Sequence, residues 1–550
     1  MTTPPSPSIQ PREARYRAAG LWGDDRIGDL LSRRARQCPD RPLFGFQGRR
    51  LSYREVDAWV SLAAADLVGR GVGPGDRVLV QLPNCLEALV LQLAAFRIGA
   101  VDVPVVPIYR EHEVRQILSD CTPAAIAVAG ELGDRRPTEE FDALLAGREQ
   151  KPLVRYVVGT PADGWRAVPS ASADGGGVVG TRELPEPAAA DQPVLLLYTS
   201  GTTSAPKGVL LSSRALYAHL HNFAAILDAG PNTVTLTATP LSHLSGFVAG
   251  VVFPAYLGGS SVIMPSWDPD AAVGVIEREG VTLMMGATTF LADLVHRYEQ
   301  GAGRGHRLPV YVCAGTAIPP TLIDRAERVG VAAFRAYGMT ETAGVCAGAS
   351  RTDPRQRRRN WDGRMLRGME IEAVDDSRCP LPPEALGELR IRGPQLLTGY
   401  TDDELTRSQL DADGWFYPGD VGRVDAEGWV QLAGRSKDIV NRGGEKFSTM
   451  DIELAIASHP CVRAVAVTAV PDERLGEGVG VWIVLADTDS WSGPDPLIAH
   501  LQSRKLAKQK IPTRWHVVAA IPTTASGKVQ KHRLSTLTDL KTWNTTKGSR

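Results

Sequence analysis

From Leu51 onward the chain repeats one rhythm of a helical period, a short apolar run and a turn bearing glycine or proline. Val56–Leu67 has apolar residues at helical spacing, Arg77–Leu82 and Ala125–Ala129 are runs of strand length, and Gly71-Val-Gly-Pro-Gly-Asp76 separates the first two. A helix between successive strands carries the chain across to a parallel neighbour, so the pattern predicts an α/β body. With 550 residues, the chain is long enough for three or four units of roughly 150 residues, merged here into a large α/β body with an appendage.

The first twenty residues, rich in proline and serine, lack a basic segment followed by an apolar one and read as a flexible leader rather than a signal peptide. The longest apolar stretch, Ala88–Phe96, falls short of the ~18 residues of a membrane span and reads as buried core. Residues 159–193, dense in Gly, Ala, Pro and Asp, predict a surface loop. Past residue 375, short alternating pieces in 381–394 and 428–435 predict a small β-rich subdomain. Beyond Lys437 the character changes again. Ser448 and Asp451 form a capping box, Val462–Val470 and Val479–Leu485 alternate as strands, and Asp495 caps a helix over Pro496–Lys510. The expected division is a leader over 1–20, an N-terminal domain over 21–436, an α+β C-terminal domain over 437–541 and a tail over 542–550.

The 61 basic and 62 acidic side chains leave a net charge of −1, which argues against a sequence-blind nucleic-acid or anionic-membrane binder. Seven cysteines with no C-x-x-C pair give neither a disulfide framework nor a cysteine zinc site, and fit a reducing cytoplasm. His219 and His221, two apart, do not share a helix face and make no zinc site.

The segment Leu195–Val209 runs from an apolar strand into hydroxyls, glycines and Lys207, and a helix capped by Ser212 or Ser213 follows. Backbone N–H groups, hydroxyls and a lysine are equipment for gripping polyphosphate oxygens. Neither G-x-x-x-x-G-K-[ST] nor G-x-G-x-x-G is present. Taken alone, the segment fits a Thr/Ser-rich turn as well as a phosphate grip.

Its core, Thr199-Ser-Gly-Thr-Thr-Ser-Ala-Pro-Lys-Gly208, resembles the TSGTTGxPKG loop of the adenylate-forming superfamily of acyl-CoA synthetases, adenylation domains and luciferases, with Ser204 in place of glycine. Six more segments fall in that family's order, and the resemblance spans Leu21 to Leu534. It implies a large N-terminal α/β body and a mobile C-terminal lid domain, and a role for each motif. Thr199, Ser200, Gly201, Thr202, Thr203 and Lys207 would grip ATP phosphates, and Gly315, Thr316 and Ala317 would lie along the adenine. Tyr337 would stack on the adenine, with Gly338 beside it at the nucleotide, Thr340 would meet the α-phosphate and Glu341 would hold Mg²⁺. Asp420, in a segment where Pro418 replaces threonine, would take both ribose hydroxyls, with Arg435 also on the ribose. Lys437 would be the hinge, Gly444 and Lys446 would line the pantetheine tunnel, and Lys528 would be the catalytic lysine. Outside these motifs Asp420 would read as a turn aspartate and Arg435 as a surface guanidinium.

By the same resemblance His243 lies beside the acyl pocket; as a residue on its own it reads equally as a satisfied core histidine. At the next position, where relatives that activate amino acids carry aspartate, stands Leu244. A leucine gives a substrate ammonium no partner, and burying one there would cost several kcal/mol. With Phe247, Val248 and Ala314 also apolar, the expected substrate is a hydrophobic carboxylic acid. Residues 106–114, Trp267-Asp-Pro269 and Gly286–Phe290 are similar to the branch of alicyclic and aromatic acid-CoA ligases such as cyclohexanecarboxylate-CoA ligase. The family implies ATP, Mg²⁺ and CoA, with a phosphopantetheinyl carrier protein as the other acceptor, in a monomer or homodimer. Arg504, Lys505, Lys508, Lys510, Lys531 and Arg533 would face CoA phosphates or form a solvated surface. A pathway enzyme serving another nucleophile and a non-catalytic nucleotide or acyl binder are the remaining readings.

Overall fold

The computed structural model describes residues 10–170, 184–199, 206–314, 318–435, 439–442, 445–472, 476–486, 491–504, 506, 510–523, 529–537 and 541–544. Within them the chain forms four sheets. An eight-stranded sheet runs, in spatial order, Gly399–Tyr400, Lys207–Ser212, Pro193–Thr199, Val101–Pro104, Arg77–Gln81, Ala125–Ala129, Val154–Val158 and Arg166–Ala167. It is parallel from Pro193–Thr199 outward, as the alternating rhythm requires, and antiparallel at the Lys207–Ser212 edge. A nine-stranded sheet places Ala332–Met339, Val310–Ala314, Leu283–Gly286, Val234–Thr237 and Ser260–Ile263 side by side, all parallel. Strands buried on both faces have no polar side to alternate, which is why Ala125–Ala129 is apolar throughout.

Between the sheets lies the predicted core segment, now the helix Leu86–Arg97, with every residue but Glu87 buried. It packs against the helices Ile27–Gln37 and Tyr53–Gly69. Each fully buried Leu or Phe there is worth about 1.5–3 kcal/mol. The Tyr53–Gly69 helix starts at a capping box: Ser52 Oγ accepts the Glu55 N–H at 3.3 Å and the Ser52 N–H donates to the Glu55 carboxylate at 2.7 Å. Arg97, buried among apolar neighbours, is bound by Asp57 and Ser61 of that helix, so no charge is left uncompensated.

The β-rich piece beyond residue 375 is an antiparallel sheet of Glu370–Val374, Gly387–Arg392, Asp420–Val424 and Val430–Arg435. A buried ion pair ties it to the nine-stranded sheet. Asp362 Oδ1 takes Arg335 Nε at 3.0 Å and Nη2 at 2.8 Å, while Oδ2 accepts the Leu432 N–H at 2.8 Å. The fourth sheet gathers Ile439–Arg442, Glu445–Ser448, Val462–Asp472, Gly476–Leu485, Arg514–Val517 and Lys541–Asn544 around its own apolar cluster. The chain thus changes sheet between Arg435 and Ile439.

Four expectations need correction. The leader is helical over Gln10–Ala18, because Tyr16 and Leu21 have an apolar seat, the Trp22 indole donates to the Pro394 carbonyl, and Arg15 joins Arg392 on Glu370. The helix expected over Pro496–Lys510 spans Asp495–Ser503, with Asp495 in its first turn rather than at its cap, and stops short of Lys510. The tail does not begin at 542: Lys541–Asn544 pairs with Arg514–Val517, setting Trp543 opposite Trp515 and edge-on to Trp491. The loop over 159–193 contains the short strand Arg166–Ala167, and its residues 171–183 lie outside the described residues. The side chains of Ser448 and Asp451 lie outside them too. Among the described residues no helix is long and apolar enough to cross a membrane.

Candidate active site

Four adjacent parallel strands of the nine-stranded sheet end on the same side, and a predicted motif follows each. Ala332–Met339 leads into Thr340 and Glu341, Val310–Ala314 into Gly315–Ala317, Leu283–Gly286 into Ala287–Phe290, and Val234–Thr237 into Pro240–His243. The crevice at the carboxyl ends of parallel strands is where open α/β sheets bind ligands.

The phosphate segment is a hairpin. Thr199 pairs with Lys207 and Tyr198 with Gly208 across the antiparallel strands, so residues 200–206 form its connection. Ser200, Gly201, Thr202 and Thr203 lie outside the described residues. Ser212 is the helix cap, its Oγ accepting the Ala215 N–H at 3.3 Å, whereas Ser213 Oγ accepts the Ile27 N–H. Gly208 is required by close approach: a Cβ there would stand 2.7 Å from Thr401 Oγ1.

Tyr337, Asp420 and Arg435 converge. The Tyr337 hydroxyl donates to Asp420 Oδ2 at 2.8 Å and Arg435 Nε lies 3.2 Å from Asp420 Oδ1. Asp420 and Arg435 face each other across their strand pair. Burial, then the charge of Asp420, pushes the Tyr337 hydroxyl well above the ordinary tyrosine range, so it stays a neutral donor. Tyr337 is 3 % exposed. What it presents is therefore a hydroxyl that orients a carboxylate, more than an open ring face.

Thr340 and Glu341 sit in a single turn of 3₁₀ helix, fixed by Thr342, whose hydroxyl accepts the Met339 N–H at 3.1 Å and donates to the Gly344 carbonyl at 2.7 Å. Gly338, beside them, is confined by the Gly344 carbonyl, which a Cβ would meet at 2.1 Å. The Glu341 carboxylate accepts the Tyr400 hydroxyl at 3.1 Å. Among the described residues no three His, Cys, Asp or Glu side chains gather to hold a metal. One half-buried carboxylate suits Mg²⁺ that arrives on nucleotide phosphates and keeps most of its ligands from them and from water.

His243 caps the short helix Leu244–Phe247, its Nδ1 2.9 Å from Ser245 Oγ. The Pro240–His243 turn is held by Asn84, whose amide donates to the Thr239 and Met264 carbonyls and accepts the Leu241 N–H at 2.9 Å. Leu244 is 4 % exposed, Phe247 0 % and Val248 1 %. Phe247 meets Phe96 edge-on at 5.8 Å, so it and Val248 belong to the packed core rather than to an open pocket wall, a correction to the expected lining. Trp267 and Phe290 stack at 4.3 Å, joining two of the segments that carried the branch resemblance.

His219 is a core histidine, and His221 is exposed. Gly315, Thr316, Ala317, Lys437, Gly444 and Lys528 lie outside the described residues, as do the side chains of Ala314 and Lys446. Lys505 and Lys508 lie outside as well, while Lys531 binds Glu453 and Thr449 and thereby acts within its own domain. Sequence reasoning missed Asn84, Gln395 and Tyr400. Their partners are distant in the chain, and only the glycine and proline around Gly393-Pro-Gln395 and Gly399-Tyr400 hinted at a fixed turn.

The model of the AMP-binding enzyme family matches residues 31–401, and that of the AMP-binding enzyme C-terminal domain matches residues 451–528. The chain is 34 % identical over 529 residues to a medium-chain fatty-acid–CoA ligase of Escherichia coli (strain K12), covering 95 % of this chain and 92 % of the relative. It is 33 % identical over 530 residues to Triostin synthetase I of Streptomyces triostinicus, covering 95 % and 96 %. The crystal structure of ATP-bound MatB from Rhodopseudomonas palustris superposes with a TM-score of 0.81 at 28 % identity, covering 92 % of this chain and 98 % of that one.

Proposed function

Since the chain belongs to the AMP-binding enzyme family, carrying both its main and its C-terminal domain, we propose that it is an acid–thiol ligase that activates a hydrophobic carboxylic acid with ATP and passes the acyl group to CoA. In the first step a carboxylate oxygen attacks the α-phosphorus of ATP, the bond to pyrophosphate breaks, and acyl-AMP forms. In the second, a thiolate attacks the acyl carbon and AMP leaves. The observation that carries the reading is the convergence of the motifs at the carboxyl ends of four neighbouring strands, with Asp420 oriented there by Tyr337 and Arg435.

Two anions must meet in the first step, so catalysis rests on neutralising and aligning charge. Lys207, at the mouth of the hairpin, takes the leaving pyrophosphate, and Lys528 bridges the carboxylate and the α-phosphate. Glu341 holds Mg²⁺, which when bound screens the phosphate oxygens. Asp420, oriented by Tyr337 and Arg435, accepts the ribose hydroxyls, and Thr340 donates to the α-phosphate. Gly315–Ala317 and Tyr337 border the adenine. Leu244 offers the acid an apolar contact and an ammonium no partner, while His243 stands at the thiol's approach.

The C-terminal domain, from residue 437 through the strand Lys541–Asn544, acts as a lid that turns about Lys437, where the chain passes from one sheet to the next. The turn withdraws Lys528 and brings Gly444 and Lys446 to the thiol, so one cavity serves two reactions. Replacing Lys528 by alanine is therefore expected to abolish acyl-AMP formation and to spare thioester formation from supplied acyl-AMP, both followed by mass spectrometry. Equal loss of the two steps would contradict the two-position mechanism. A second reading, transfer to a carrier-protein thiol or another nucleophile, is supported by the full-length similarity to Triostin synthetase I, whose name carries no CoA. The same assay run with CoA and with a phosphopantetheinyl carrier protein separates them by product mass.

A further inference from the structure

Two groups that the reaction needs together stand on different sheets: Lys207 opens a strand of the eight-stranded sheet, and Glu341 follows a strand of the nine-stranded one. The segment Gln395–Thr401 touches both. On one side its Gln395 amide donates to the Thr342 and Val345 carbonyls, and its Leu397 N–H donates to the Glu341 carbonyl at 2.8 Å. On the other, Gly399 and Tyr400 pair with Leu210 and Val209, and the Thr401 N–H donates to the Gly208 carbonyl at 2.9 Å, one residue from Lys207. Tyr400 belongs to both sides. Its backbone extends the sheet of the phosphate hairpin while its hydroxyl reaches Glu341 Oε1 at 3.1 Å.

We infer that Tyr400 is a positioning residue that holds the Glu341 carboxylate at a set place relative to the phosphate hairpin, so that metal-bearing triphosphate meets lysine and carboxylate already aligned. The inference rests on the reading of Glu341 as the Mg²⁺ ligand. Its physical basis is that a glutamate has three rotatable bonds, and a fixed hydrogen bond to one oxygen removes most of that freedom while leaving the other oxygen for the metal. A tyrosine that only filled the sheet edge would serve as well without its hydroxyl.

The test is Tyr400→Phe, which keeps ring and strand pairing and removes one oxygen. A hydrogen bond to a charged group is worth enough that roughly a tenfold effect is expected. The Mg²⁺ concentration for half-maximal adenylation should rise about tenfold, with the loss falling on adenylation and not on thioester formation from supplied acyl-AMP. By calorimetry, the gain in affinity for α,β-methylene-ATP on adding Mg²⁺ should shrink by about the same factor, whereas the Mg²⁺-free affinity should hold. In a Glu341→Gln background, Tyr400→Phe should add nothing further. Wild-type Mg²⁺ dependence in Tyr400→Phe, equal loss of both half-reactions, or full additivity with Glu341→Gln would overturn the inference. The calorimetric arm needs no acid substrate. Failure of the parent enzyme to release pyrophosphate with any acid would count against the ligase reading instead.

Discussion

His219 lies on the helix that follows the phosphate hairpin, its ring stacked on Phe223 at 5.3 Å and its Nδ1 3.3 Å from the Val345 carbonyl oxygen. That carbonyl only accepts, so Nδ1 carries the proton, and Gly344, at φ 129°, leaves no Cβ to strike the ring. Burial lowers the His219 pKa from the ordinary 6.5 to about 4, with the Val345 bond opposing it. Because the folded value lies below the unfolded one, the unfolded chain binds more protons between pH 6.5 and about 4. Stability from this residue is complete above that window and is lost as pH falls through it, by roughly 3 kcal/mol. Urea unfolding at stepped pH should register that loss in the parent and a correspondingly shallower slope in His219→Gln; identical slopes would refute it. At this scale the sequence reveals what is local. Thr199–Gly208, Tyr337–Thr342 and Gly434–Asp438 are read from neighbouring residues. Tyr400 is not, because the Glu341 that gives it meaning is 59 positions away.

Strands and helices here are legible where one pattern suffices and illegible where a distant element decides. Ala125–Ala129, Arg77–Gln81 and Val462–Asp472 follow from apolar runs and alternation. The Gln10–Ala18 helix does not, since its stretch looks polar until Glu370 and Pro394 are placed beside it. Nor does the pairing of Lys541–Asn544, which Trp515 and Trp491 dictate from elsewhere in the chain. The element that carries Arg435 is anchored by Asp362, through Arg335 on one side and the Leu432 N–H on the other. Removing one partner of a buried pair strands the other charge, so Asp362→Ala is expected to cost about 3–5 kcal/mol in denaturant unfolding. Because the strand Val430–Arg435 would also loosen, affinity for AMP should weaken with it. A loss under about 1 kcal/mol would indicate that Arg335 finds water, and would contradict its described burial.

Across the molecule, two large sheets and one small one meet around the carboxyl ends of the nine-stranded sheet, and the C-terminal sheet begins beyond Arg435, at Ile439. The alternation of helices and strands predicts the α/β class, and the motif order predicts the family. Periodicity cannot predict which strands become neighbours, because pairing depends on contacts closed over long stretches of chain. In the proposed function this crevice joins a hydrophobic acid to AMP. The most direct measurement of that reaction is acid-dependent exchange of labelled pyrophosphate into ATP across alicyclic, aromatic, medium-chain and α-amino acids. Exchange is predicted with one or more of the uncharged hydrophobic acids, dependent on Mg²⁺, and absent with α-amino acids, whose ammonium Leu244 leaves unpaired. No exchange with any acid, or strongest exchange with an amino acid, would contradict it.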